Sequence, residues 1–226
     1  MTLGNPRVHR RQTASTSLDA RALAIAGAPH GTLVTAREQP DGRGRQGRRW
    51  HAPAGSALLC SVILRDPPPL LSIAAGVAVA ESIGADAALK WPNDVLLDDR
   101  KVSGILIEGR PQERWSVLGI GVNVALRVDE LPEELRESAG TLGRSESDVE
   151  PLLARLLGVL EARLASPAED LLAAWRARDA LFGREIAWRD GRGTAAGIDD
   201  RGALLVTLAG GGERALDAGE VHLLAS

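Results

Sequence analysis

The chain has 226 residues, of which 44% are hydrophobic and 25% charged, and a formal net charge of −3. That is enough chain to bury a substantial core and hold one catalytic domain plus a small appendage, and the slightly acidic balance argues against a general nucleic-acid binder. The single cysteine, Cys60, excludes an internal disulfide, and no stretch has the apolar length of a signal peptide or a membrane span, so the expected setting is a reducing cytoplasm with no membrane partner.

In chain order, Arg7, Arg10 and Arg11 make a basic start without the periodicity of a fold. Leu18 to Ala28 is apolar at helical spacing, and Ser15, Thr16 or Ser17 can cap it. Thr32 to Arg37 reads as a strand, and Ala57 to Leu64 as a buried strand, so the loop between them is tethered at both ends. Leu70 to Gly84 is an alanine-rich helix and Ala87 to Trp91 a short strand. Val95 to Leu97 and Val102 to Ile107 form a hairpin around Asp98, Asp99 and Arg100, and Trp115 to Val124 is another strand. Helices follow over Glu130 to Ser138, Val149 to Leu164 and Ala168 to Phe182, punctuated at Gly140 to Gly143 and Pro167. After Phe182 the pattern changes to short strands at Glu185 to Arg189, Thr194 to Ile198, Leu204 to Leu208 and Val221 to Leu224, with a triple glycine at 210 to 212. Isolated hairpins of this kind are unstable, so these strands should close on one another as a small β-barrel and dock on the rest. The fold class expected is α+β, with residues 1–182 as a catalytic domain and 183–226 as a C-terminal domain.

Two segments concentrate the chemistry. Residues 42 to 50 read GRGRQGRRW, four arginines among three glycines, a composition that can close backbone amides and guanidinium forks around an anion. Gly42, Gly44 and Gly47 formally satisfy G-x-G-x-x-G, but no helix opens after them and no Gly-Lys-Ser or Gly-Lys-Thr follows, so neither a dinucleotide fingerprint nor a P-loop is present. A solvated basic loop and a nucleic-acid patch remain alternatives. Only two of the 27 basic side chains are lysines, Lys90 and Lys101, and both fall in KWPNDVLLDDRKVSGILIE with Asn93, Asp94, Ser103 and Glu108. Retaining a compact ammonium where arginine serves elsewhere suggests a point-charge role. Cys60 sits in an apolar run and reads as an inert buried thiol, and His9, His30, His51 and His222 lack metal-ligand spacing.

Together these segments resemble the biotin protein ligases, which activate biotin with ATP and transfer it to a lysine of a carrier domain. The arginine-glycine loop of that family is similar to residues 42 to 50, its KWPND segment to residues 90 to 94, and its K-x-x-G-I-L-x-E strand to Lys101 through Glu108. Gly119 to Asn123 and Ser15 to Ser17 extend the likeness, with Ser17 where the family usually has asparagine and Ala14 where an acidic residue is common. The resemblance runs from about residue 13 to the C-terminus. It implies a class II aminoacyl-tRNA synthetase-like catalytic fold and an SH3-like character for the C-terminal barrel. Members that also repress transcription carry an N-terminal winged helix, and the residues before Thr13 are too few for one. The expectation is therefore a monofunctional ligase with no specific DNA partner, whose partner is the biotin carboxyl carrier domain of acetyl-CoA carboxylase or a related carboxylase, with a homodimer left open.

The resemblance also distributes roles. Lys101, Arg45 and Asp94 become the catalytic candidates. Biotin falls to Ser15, Thr16, Ser17, Gln39, Arg43, Gly44, Arg45, Lys101 and Gly104, with the hydroxyls and Gln39 suited to the ureido group. The nucleotide falls to Arg43, Arg45, Arg48, Trp50, Lys90, Asn93 and Asn123, and magnesium is expected to arrive with ATP rather than on a metal site of the protein. Carboxylate and α-phosphate repel unless cations offset their charge in a dry site, which is the work expected of Arg43, Arg45 and Lys101. Mutual repulsion of the four arginines would leave the loop with little to close it until an anion arrives. Three other readings are kept: a lipoate protein ligase of the same fold, an RNA-binding module using the arginine loop and Trp50, and a degenerate ligase retained as a biotin-binding scaffold, against which the intact lysine and arginines stand.

Overall fold

β-branched and leucine-rich runs pair into two sheets in the computed structural model, which describes residues 2–224. In chain order the elements are β1 (Arg7–Arg10), α1 (Thr16–Ile25), β2 (Leu33–Ala36), β3 (Ala57–Arg65), α2 (Leu71–Ile83), β4 (Ala88–Lys90), β5 (Asp94–Leu97), β6 (Arg100–Arg110), β7 (Trp115–Asn123), α3 (Glu133–Arg136), α4 (Val149–Leu164) and α5 (Ala168–Arg176). Then come β8 (Glu185–Trp188), β9 (Gly191–Ile198), β10 (Leu204–Thr207), β11 (Glu213–Leu216) and β12 (Val221–Leu223).

The first seven strands form one mixed sheet in the order β1-β2-β3-β7-β6-β5-β4, antiparallel except for the β1–β2 pair. Of its long strands, β3 is buried almost throughout and β7 over most of its length, which is why they read as nearly continuous apolar runs, whereas β6 alternates between buried and partly exposed positions. One face carries α2 and α4. Alanine and glycine at 74, 75, 76, 78 and 80 keep α2 slim enough to lie between the sheet and the Leu152, Leu153, Leu156 and Leu160 stripe of α4. Truncating a stripe leucine such as Leu156 to alanine should cost about 2–5 kcal/mol. On the opposite face α1 sets Ala20 and Ala24 against Val34, Ile63 and Val117, but it covers only that end of the sheet. The remaining half of the face, over β6 and β7, stays open and becomes the floor of the site.

The last five strands form an antiparallel sheet in the order β11-β10-β9-β8-β12. Ile186, Ile198, Leu204, Val206 and Val221 join the same apolar core as α2 and Trp91, whose indole N–H donates to Gly202 O at 3.1 Å. Arg184 reaches back to Asp99 at 3.0 Å. The α+β class and the C-terminal run of strands match the sequence reading.

Four local differences have physical causes. β1 forms because its backbone is captured in parallel by β2, with Arg7 held by Glu150 and Arg10 by Asp19, none of which the basic start revealed. The helix expected over 130–138 breaks into a short 3-10 turn (Val128–Glu130) and α3, because Pro132 lacks the N–H that would continue it. The helix expected to reach Phe182 stops at Arg176, since Leu89 N–H donates to Arg178 O at 2.7 Å and Ala180 N–H to Leu89 O at 2.9 Å, extending the sheet beyond β4. β11 is an additional strand after the triple glycine, paired to β10 over four residues.

Candidate active site

The K-x-x-G spacing on β6 poses a geometric question, because residues three apart on a regular strand face opposite sides. A register shift answers it: Leu96 opposes Lys101 but Val95 opposes Ser103 and Asp94 opposes Gly104, leaving Val102 as the extra residue of a bulge. Lys101 and Gly104 therefore face the same side while Val102 and Ile105 enter the core. The same register puts Lys101 Nζ 2.6 Å from Asp94 Oδ1.

Residues 42 to 50 fold over this floor as a closed hairpin. Gly44 N–H donates to Arg48 O at 2.7 Å and Trp50 N–H to Gly42 O at 2.9 Å, and Gln46 takes a left-handed turn conformation at φ 54°. Trp50 is laid across two glycines, where a Cβ at Gly121 would fall 2.7 Å from the indole and one at Gly104 3.0 Å from it. Only glycine at those positions lets the ring lie flat on the sheet. The repulsion expected among the four arginines is met by protein acceptors. Arg43 pairs with Glu108 at 2.9 Å, Arg45 donates to Asn93 Oδ1 at 3.1 Å, Arg48 pairs with Glu220 and Arg49 with Asp41. Asn93 is itself fixed, donating through Nδ2 to Ile105 O at 3.0 Å.

Beneath the loop lies a cavity of about 450 Å³, within the range of small-molecule sites. Every residue singled out for a site from the sequence lines it: Ser15, Thr16, Ser17, Gln39, Arg43, Gly44, Arg45, Arg48, Trp50, Lys90, Asn93, Asp94, Lys101, Gly104 and Asn123. At one end Thr16 and Ser17 start α1, with Thr16 N–H donating to Gln39 Oε1 at 2.5 Å. At the middle stand Lys101 and the loop arginines. Asn123, at the end of β7, donates to Gly140 O at 2.8 Å, and its buried Oδ1 meets no protein donor among the described residues.

The sequence reading missed two parts of the wall. Leu131, Leu135, Ser138 and Ala139 close one side, held because Lys101 N–H donates to Ser138 O and Gly140 N–H to Lys101 O, both at 2.8 Å. Glu220, Val221, His222 and Leu223 bring the second sheet to the cavity, and Arg45 also approaches Gly219 O at 3.5 Å. Both contacts are long-range, and nothing local in the sequence announces them. Cys60 touches the cavity but is 1% exposed, and burial pushes its thiol up to about 12, consistent with an inert group. Among the described residues no set of three histidine, cysteine or carboxylate side chains is placed to hold a metal.

The arrangement gives a polar neutral end, a cationic middle and an apolar wall in one enclosure. Comparison with known proteins agrees in kind. Residues 8–124 match the model of the biotin/lipoate A/B protein ligase family, and residues 181–224 that of the biotin protein ligase C terminal domain. A biotin–[acetyl-CoA-carboxylase] ligase from Mycobacterium tuberculosis is 38% identical over 94% of this chain and 87% of its own. A bifunctional ligase/repressor BirA from Bacillus subtilis is 33% identical over 90% of this chain and 70% of its own. A solved biotin protein ligase from Aquifex aeolicus in complex with biotin and ATP superimposes with a TM-score of 0.83 at 27% identity, covering 98% of this chain and all of that one.

Proposed function

The chain belongs to the biotin/lipoate A/B protein ligase family, and from that premise and the cavity we infer that it activates biotin with ATP to biotinyl-AMP and transfers the biotin to a lysine of a biotin carboxyl carrier protein. The observation that carries this is the convergence of residues from four separated segments, 15–17, 39–50, 90–104 and 123, on one enclosure.

In the first step the biotin carboxylate oxygen attacks the α-phosphorus of ATP. The new O–P bond forms as the bond to pyrophosphate breaks. Two anions must approach, so the cations at the middle of the cavity are placed where they lower the barrier. Lys101, held by Asp94, supplies a point charge between the carboxylate and the phosphate oxygens. Arg43 and Arg45 supply the forked donors from above, and closure of their loop keeps water from the mixed anhydride. Arg48, Lys90 and Asn93 take the phosphates, and Asn123, Trp50 and the leucine wall take the rest of the nucleotide. Magnesium accompanies the triphosphate. In the second step the carrier lysine amine attacks the anhydride carbonyl and AMP leaves. We assign the amine proton to Asp94, the carboxylate of the motif.

Lipoate has no ureido group, so the hydroxyl and amide end of the cavity favours biotin over it. An RNA-binding role is disfavoured because the loop arginines are engaged on Glu108, Asn93, Glu220 and Asp41 around a cavity rather than spread along an open surface. The division into residues 1–182 and 183–226 belongs to the same reading, supported by the change from mixed to antiparallel sheet between α5 and β8. So does the absence of a specific DNA partner: the net charge is −3, and Arg7 and Arg10 are taken up by Glu150 and Asp19. A sequence-selective gel shift that survives high salt would overturn that part. The main reading is tested by biotin-dependent exchange of labelled pyrophosphate into ATP. Exchange absent with biotin, or equally fast with lipoate, rejects it.

A further inference from the structure

Ser61 lies in the middle of β3 between apolar neighbours, is fully buried, and does not line the cavity. A hydroxyl there costs desolvation unless it is bonded, and its partners are two hydroxyls that do line the cavity: Thr16 Oγ1 at 2.8 Å and Ser17 Oγ at 3.1 Å. We propose that Ser61 is a positioning residue that sets substrate specificity, by coupling the protons along Thr16–Ser61–Ser17 so that, whichever way they run, the cavity is offered one hydroxyl donor and one hydroxyl acceptor.

The argument is a count of protons. Each hydroxyl has one proton to donate and two lone pairs to accept with. Ser61 has two hydroxyl neighbours and one proton, so it donates to one and accepts from the other. If it donates to Thr16, then Ser17 donates inward and turns only lone pairs to the cavity, while the Thr16 proton is free to point out. If it donates to Ser17, the two roles exchange. The arrangement in which both neighbours donate to Ser61 leaves a buried proton with no acceptor and is disfavoured. Either allowed state presents one donor and one acceptor side by side on the first turn of α1. A ureido edge carries the complementary pair, a carbonyl acceptor and an N–H donor. Thr16 N–H already occupies Gln39 Oε1, which leaves the Gln39 amide NH2 as a further donor at the same end. Gly119, paired with Ser61 on β7, keeps the cluster tight, since a Cβ there would fall 2.7 Å from Ser17 Oγ.

This proposal rests on the reading of the cavity as a biotin site, and the experiment separates the two. Pyrophosphate exchange and calorimetric binding are measured for wild type, Ser61→Ala and Ser61→Cys with biotin, with desthiobiotin, which keeps the ureido group, and with 2-iminobiotin, which replaces its carbonyl acceptor. No biotin-dependent exchange in wild type rejects the site reading itself. Given wild-type exchange, Ser61→Ala should weaken biotin and desthiobiotin equally, by about tenfold in KM, with kcat at saturation changed less than about twofold. Its preference for biotin over 2-iminobiotin should shrink by a similar factor, and Ser61→Cys, a weaker donor of similar shape, should fall between. An equal loss for all three ligands, a fall in kcat with KM unchanged, or no change at all overturns the proposal. Thermal unfolding of each variant confirms that the native fold is compared.

Discussion

The Lys101 ammonium rests 2.6 Å from a carboxylate oxygen of Asp94, and the pair spans two neighbouring strands at the middle of the cavity. The lysine is thereby held on the floor while about a third of its side chain stays accessible. Such a charge contributes little to stability and much to a step in which two anions meet. Lys101→Ala and Arg45→Ala should each lower biotin-dependent pyrophosphate exchange by about 10²–10³-fold and change unfolding free energy by less than about 1 kcal/mol. Near-normal exchange in either variant removes that residue from the chemistry.

Glu220 reaches the arginine loop from the second sheet through Arg48, beside the contact of Arg45 with Gly219 O. Glu220→Ala should raise the KM for ATP by about 3- to 10-fold through a less well placed loop, while biotin affinity measured without nucleotide stays within twofold of wild type, about 0.4 kcal/mol. Equal weakening of both ligands would mean that the contact supports the whole cavity.

Protein acceptors hold the loop closed, but most of these pairs are solvent-accessible and weak. Residues 42 to 50 should therefore exchange their amide hydrogens readily without ligand and gain protection with biotin, and more with the adenylate, whose phosphate is a stronger partner for the guanidinium groups. Identical protection in all three conditions would show a preformed lid and end the gating argument.

Burial holds the Cys60 thiol protonated, with its value pushed up to about 12. A disulfide reagent at mildly alkaline pH should leave the native protein unlabelled and modify one thiol per chain only after denaturation. Fast labelling of the native state would place Cys60 among the reactive groups of the cavity.

The Arg7 guanidinium, hydrogen-bonded to Glu150, holds that carboxyl below its ordinary value. A depressed folded-state value stabilises the protein above the ordinary carboxylate range, and the gain is lost as pH falls through the folded value. Arg7→Ala should thus destabilise at neutral pH and flatten the acid side of the stability profile. Glu150 is 61% exposed at the side chain, so the effect should stay below about 1 kcal/mol. An unchanged acid limb would mean that the pair does not hold β1.

The lining of the candidate site was legible in the sequence because each contributing segment is locally unusual. Arg43, Arg45, Trp50, Asn93, Asp94 and Lys101 sit in short stretches of unusual composition, each of which alone could be a basic loop or a turn, and all of them reach one cavity. What stayed hidden was imposed from a distance. Ser61 is a lone polar residue in the apolar run of β3, a visible anomaly, but its meaning depends on Thr16 and Ser17, more than 40 positions earlier. Leu131 and Leu135 looked like the apolar face of an ordinary helix, and only the capture of Ser138 and Gly140 by Lys101 turns that segment into a wall. Strand β1 offered four residues with no alternation of exposure, and its place is set by β2 and by Glu150 on α4.

The bulge at Val102 makes chain length part of the chemistry. Two aspartates with left-handed backbone, Asp98 and Asp99, close the hairpin between β5 and β6, and the single extra residue beyond them is what turns Lys101 toward Asp94. A regular ladder that kept Val102, with that residue opposite Leu96, would instead put the lysine on the face opposite Gly104, in the apolar layer beneath the sheet. Elsewhere the chain has slack: at Gly210, Gly211 and Gly212 an added Cβ meets nothing within 4 Å. Insertions should accumulate freely there and be purged between residues 94 and 104, a contrast that a deletion and insertion scan read by exchange activity would expose, and that would be absent if the hairpin were merely a scaffold.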